Sequence, residues 1–128
     1  MIQVKNLRKE FGTKVAVEDV SFKVEKGEVL GFLGPNGAGK STTMRMVTGY
    51  FRPTSGSVSL GGIDMLEEPE KAKQLLGYLP ENAPLYSDMT VASFLSFCAE
   101  LRGIHGAART KAIDRVLDLC FLDKVRNQ

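Results

Sequence analysis

A chain of 128 residues can bury one real core and is too short for two ordinary domains. Its hydrophobic residues at 43% and charged residues at 25% match a globular protein, and no apolar run approaches the ~20 residues of a membrane helix. The net charge of +2 is too small to argue for a nucleic-acid surface, so any anion is bound locally.

The N-terminus, MIQVKNLRKE, has charges but no apolar h-region, which predicts a cytosolic chain. In IQVKNL, Ile2, Val4 and less cleanly Leu7 alternate, and in VSFKV the apolar Val20, Phe22 and Val24 alternate with Ser21 and Lys23. Both read as half-buried strands. EKGE supplies a tight turn, and VLGFL follows as an apolar run without alternation, the pattern of a parallel strand covered on both faces. A helix is predicted from Lys40 to Val47, stopped by Gly49 and Pro53. RPTSG is a turn, SVSLGG a short strand, PEKAKQLL a short polar helix and LGYLP another apolar strand. PENAPLYSD is a loop. From Thr90 or Asp88 as cap, Val91, Phe94, Leu95, Cys98 and Leu101 recur at helical spacing. After RGIHG a second helix aligns Ile113, Val116, Leu117, Cys120 and Phe121. Cys98 and Cys120 show neither a CxxC nor a His at ligand spacing, and read as buried free thiols rather than a zinc site.

Gly34-Pro35-Asn36-Gly37-Ala38-Gly39-Lys40-Ser41 fits G-x-x-x-x-G-K-[ST], with a predicted strand before it and a predicted helix after it. The spacing suits a triphosphate. Glycines let backbone N–H groups close around phosphate oxygens without Cβ atoms in the way, and the following helix aims its unpaired amides and positive dipole end at the same anion. Lys40 adds a charge at the β- and γ-phosphates, Ser41 offers a hydroxyl to Mg²⁺, and Thr42 and Thr43 are near enough for the α-phosphate. The competing reading is a glycine-rich turn with an incidental lysine. It requires eight positions and both flanking elements to agree by accident. By itself the loop does not separate ATPases, GTPases and small-molecule kinases.

The surrounding VEDVSFKVEKGEVLGFLGPNGAGKSTTMRMVTGYFRPTSGSVSLGGIDM resembles the start of the ATP-binding domain of ABC transporters, in its loop, its DVSF strand, its EKGEV turn and its PTSGSVSLGG turn and strand. The resemblance runs over essentially the whole chain. It implies an α/β P-loop NTPase fold with a RecA-like core, an antiparallel β portion and the beginning of a helical subdomain. The division expected is 1–88 for the β portion and P-loop core and 89–128 for the start of the helical subdomain. Phe11 then stands where the family stacks an aromatic on adenine, Val17 pads the sugar side, and residues Gly34 to Thr42 hold the phosphates of ATP. Phe11 could equally be a core residue on its own evidence. GYLPENAPLY resembles the family's Q-loop with Glu81 in place of the usual glutamine, where it would accept a hydrogen bond from Mg²⁺-bound water but add negative charge near the phosphates. Such GYLPEN forms resemble the ATPases of ABC-2-type exporters of the gliding-motility and copper-processing kind.

Further implications concern partners. The resemblance implies a transmembrane permease subunit, met through the helical region with Tyr86, Met89 and the surroundings of His105 as candidate contacts, and a second ATP-binding domain. His105 otherwise reads as a solvated loop residue. It also implies attachment to the inner face of the membrane, and no nucleic-acid partner. The LSGGQ-type signature, the apolar strand ending in Asp-Glu and the switch histidine of the family do not occur in this sequence. The chain is therefore expected to be a truncated domain that grips Mg-ATP through Lys40 without cutting it, and to self-associate through unpaired strand edges. Coupling ATP hydrolysis to transport, by export, is the role expected of the full-length protein. A soluble ABC ATPase acting on ribosomes or DNA, or a non-catalytic nucleotide-binding fragment, are the alternatives.

Overall fold

The computed structural model describes residues 1–83 and 85–128. It comprises two units, Met1–Leu79 and Pro80–Gln128, so that the described residues 80–83 and 85–88 belong with the second.

In the first unit the two alternating runs form strands β1 (Ile2–Phe11) and β2 (Lys14–Val24), paired antiparallel with Val4 opposite Phe22 and Phe11 opposite Lys14. The imperfect alternation at Leu7 has a structural cause. The register shifts between Val4 and Leu7, where Asn6 takes φ 45°, and the extra residue returns Leu7 to the inner face beside Val4. The other side of β1 carries β3 (Ser55–Leu60), antiparallel with Val58 opposite Val4. Gly61 and Gly62 turn the chain into a two-residue strand β4 (Ile63–Asp64), which the apolar pattern did not announce. The sheet order is β2-β1-β3-β4.

Helix α1 (Lys40–Val47) has the predicted bounds and lays Thr43, Met46 and Val47 into the core. They join Val4, Leu7, Val17, Val58, Leu60, Met65 and Ala72, the last from the short helix α2 (Pro69–Gln74). Leu7 is fully buried, and truncating such a side chain to alanine costs about 2–5 kcal/mol. Pro69 opens α2 at the first helical position, where its missing N–H is no loss.

Two predicted strands are not formed. Val29 is 95% and Leu33 94% exposed in the VLGFL run, and in LGYLP Leu79 is 82% exposed. A parallel strand exists only by pairing with neighbours, and no strand among the described residues lies beside either run. Only part of each run is covered, Phe32 lying 5.6 Å between ring centroids from Phe22 and Leu76 packing against the core.

The second unit contains α3 (Val91–Leu101) and α4 (Gly106–Leu119), followed by a 3₁₀ turn at Asp123–Val125. Thr90 is the N-cap of α3, its hydroxyl accepting from Ser93 N at 3.2 Å. Backbone carbonyls of the tail complete this helix end, Gln128 O accepting from Val91 N at 2.9 Å and Arg126 O from Ala92 N at 3.0 Å. Ion pairs Arg109–Glu100 and Arg126–Asp114 tie the two helices and the tail. The predicted apolar stripe of α4 holds at Leu117, which is fully buried, and fails at Phe121. The helix ends at Leu119 and Phe121 takes φ 57°, which turns its ring out to 92% exposure. The thiols are free as expected but not buried, Cys98 being half-buried and Cys120 exposed because it stands past the last turn of α4.

Candidate nucleotide-binding site

The site is built where the Val29–Lys40 connection meets α1. Pro35 O accepts from Ala38 N at 3.2 Å and closes a tight loop, while Gly37 at φ 85° and Gly39 at φ 87° turn its backbone through conformations that other residues adopt only at a cost. Gly39 is required for a second reason. A Cβ there would stand 2.5 Å from Ala16 O and 3.0 Å from Val17 Cγ2, so the entry to α1 is pressed against β2.

Helix α1 starts with no side-chain cap on its N-terminal amides. An eight-residue helix with bare leading N–H groups at the end of a glycine loop concentrates positive potential at an exposed surface. Gly34, Pro35, Asn36, Gly37, Ala38 and Ser41 are exposed, and Gly39, Lys40 and Thr42 half-buried. The Lys40 ammonium folds back over the loop and donates to Gly34 O at 2.5 Å and Pro35 O at 2.8 Å. These neutral acceptors hold the cation at the mouth of the loop, where a phosphate oxygen would be a stronger acceptor.

Thr43 differs from the sequence expectation of α-phosphate contact. It is 1% exposed on the core face of α1, while Thr42 is half-buried. Val17 is also largely enclosed at 4% exposure, and its visible contact is the support it gives beneath Gly39.

Phe11 ends β1 with 45% of its surface open. Its partner across the ladder is Lys14, two residues before the Ala16 carbonyl that touches the entry to α1, a spacing of about 7 Å along the strand. Thus an exposed ring on β1 and a phosphate loop pressed on β2 are held by one hairpin. The ring is itself supported: Phe51 meets it edge-on at 5.5 Å between centroids, and Lys9 Nζ lies 5.1 Å from its centroid. Neither Lys9 nor Phe51 was picked out from the sequence. The GYFR run after α1 carried the signal, as two aromatics flanked by Arg45 and Arg52.

Glu81 lies exposed in the second unit. No group of three or more His, Cys, Asp or Glu that could hold a metal occurs among the described residues. The exposed Ser41 hydroxyl on the first turn of α1 is a donor of another kind, one that could take a single position on an ion that keeps most of its waters.

The family model for the ABC transporter matches residues 17–128. This chain belongs to the ABC transporter family. It is similar to the "Probable multidrug ABC transporter ATP-binding protein YbhF" of Escherichia coli K12, 43% identical over 98% of this chain and 22% of that protein. It is also similar to the "Linearmycin resistance ATP-binding protein LnrL" of Bacillus subtilis, 41% identical over 89% of this chain and 37% of the relative. The chain thus spans well under half the length of these curated relatives. Among solved structures, the ATP binding subunit of an ABC transporter superposes with a TM-score of 0.88 at 30% identity, over all of this chain and 53% of that one. A dimeric ATP-binding cassette bound to ADP and Pi gives 0.83 at 21% identity, over all of this chain and 61% of its own, and shows the shared fold. The fold of this ABC chain is accordingly the P-loop NTPase cassette, with its antiparallel sheet, phosphate loop and helical start.

Proposed function

We propose that the chain binds Mg-ATP as part of the ATP-binding subunit of an ABC transporter, through the loop Gly34 to Thr42. The observation that carries this is the uncapped start of α1 behind the Gly37 and Gly39 turns, with the Lys40 ammonium poised above it. On binding, loop and leading helix amides donate to the phosphate oxygens, Lys40 exchanges its two carbonyl acceptors for β- and γ-phosphate oxygens, and Phe11 stacks on the base. Bound Mg²⁺ would neutralise the crowded phosphate charge, with the Ser41 hydroxyl as the residue of this unit that would hold it.

In the full-length protein this binding would drive ATP hydrolysis and transport. The names of the two bacterial relatives favour export, and the domain would sit at the inner face of the membrane against a permease subunit and a second ATP-binding domain. No helix among the described residues is long and apolar enough to cross a membrane, so attachment through a partner fits. Because this sequence contains no LSGGQ-type signature, the chain by itself should hold nucleotide without turning it over. Calorimetric titration with Mg-ATP, ADP and AMP tests the reading: ATP and ADP should bind far more tightly than AMP. Equal affinity for all three would place recognition at the base and sugar and refute the phosphate grip.

A further inference from the structure

The contacts around Phe11 extend beyond the ring itself. The segment from Gly49 to Thr54 leaves α1 and returns to β1 as a short strap fastened at both ends. At the helix end, Arg45 O accepts from Tyr50 N at 2.8 Å and from Phe51 N at 3.0 Å. At the strand end, Thr54 N donates to Arg8 O at 2.8 Å, Glu10 N donates to Thr54 Oγ1 at 3.0 Å, and Lys9 Nζ donates to Arg52 O at 2.7 Å. Between the two fastenings stands Phe51, with its ring 5.5 Å from Phe11 at an interplanar angle of 74°. Lys9 Nζ lies 5.9 Å from the Phe51 centroid as well as 5.1 Å from that of Phe11, and the Arg45 guanidinium 5.7 Å from Phe51.

An exposed phenylalanine at a strand end has two free torsions, and stacking on a base must pay to freeze them. An edge-on neighbour held by backbone hydrogen bonds removes that freedom before the ligand arrives, while leaving the Phe11 surface open. We infer that Phe51 is a positioning residue for nucleotide binding, which fixes the Phe11 ring for the base and mechanically joins it to the end of α1, the helix whose start receives the phosphates. The inference rests on the reading of Phe11 as the base platform. Phe51 is a positioning residue because it acts through Phe11, with no contact to the nucleotide required.

The test is calorimetric titration of the full chain with Mg-ATP and, separately, with inorganic triphosphate, for wild type, Phe51→Leu, Phe51→Tyr, Phe11→Ala and the double variant Phe11→Ala/Phe51→Leu. Phe51→Leu keeps apolar volume where the ring packs on the core. It should weaken ATP roughly three- to tenfold, the worth of one aromatic pair, and leave triphosphate within about twofold. Phe51→Tyr keeps the edge-on ring and should restore ATP affinity. In the Phe11→Ala background Phe51→Leu should add nothing. Equal weakening of ATP and triphosphate by Phe51→Leu would show a merely structural role and overturn the inference, as would an undiminished effect without Phe11. If Phe11→Ala weakens ATP and Phe51→Leu does not, the positioning role alone fails. If Phe11→Ala leaves ATP unchanged, the base-platform reading fails and the inference with it.

Discussion

Replacing Gly39 by alanine should be far more damaging than the same change at Gly37, although both glycines lie in the same loop. Both have positive φ, 87° and 85°, so each alanine incurs the left-handed conformational cost of roughly 1–2 kcal/mol. Their surroundings differ. A Cβ at Gly37 meets nothing within 4 Å, whereas at Gly39 it would stand 2.5 Å from the Ala16 carbonyl oxygen and 3.0 Å from Val17 Cγ2. Relieving that overlap means moving backbone of β2 that lies over the core, since Val17 is a core residue, and overpacking of this kind costs about 1–3 kcal/mol more. Gly39→Ala should therefore lower unfolding free energy by about 2–5 kcal/mol and Gly37→Ala by about 1–2, measured without nucleotide by urea titration and circular dichroism. Equal costs for the two variants would refute the claim that the start of α1 is pressed onto β2.

The open apolar residues Val29, Leu33 and Leu79 predict association of chains: light scattering should show the apparent mass rising with concentration, and Leu33→Ser with Leu79→Ser should suppress it. A monomer at all concentrations would contradict this. In the second unit, Thr90→Ala removes the hydroxyl that caps α3 and should cost about 1 kcal/mol; a cost near zero would mean the tail carbonyls of Arg126 and Gln128 carry that helix end unaided.

Legibility from sequence followed how local each determinant is. Helix α1 and the loop before it were readable because a glycine pattern, a lysine and a helical stop at Gly49 act within a few residues of one another. The strands of the hairpin were readable from alternation, and the weak point at Leu7 corresponds to the bulge at Asn6. Runs such as VLGFL and LGYLP read as buried strands from their composition but stand largely open, because a parallel strand is fixed by distant partners. Phe121 failed for a different reason, a left-handed residue just past the helix that no periodicity foresees. In the candidate site, the glycine turns and the open aromatic at Phe11 were legible as local features, whereas the buried side of Thr43 and the strap carrying Phe51 depend on how α1 packs and where the chain returns.

The central claim is that Lys40 and the uncapped start of α1 grip the phosphates. Titration of wild type and Lys40→Ala with inorganic triphosphate in the presence of Mg²⁺ tests it most directly, with circular dichroism to verify that both are folded. Losing a charge-assisted hydrogen bond worth about 1.5–3 kcal/mol predicts weakening of roughly ten- to 150-fold. Equal triphosphate affinity in two folded proteins would contradict the account.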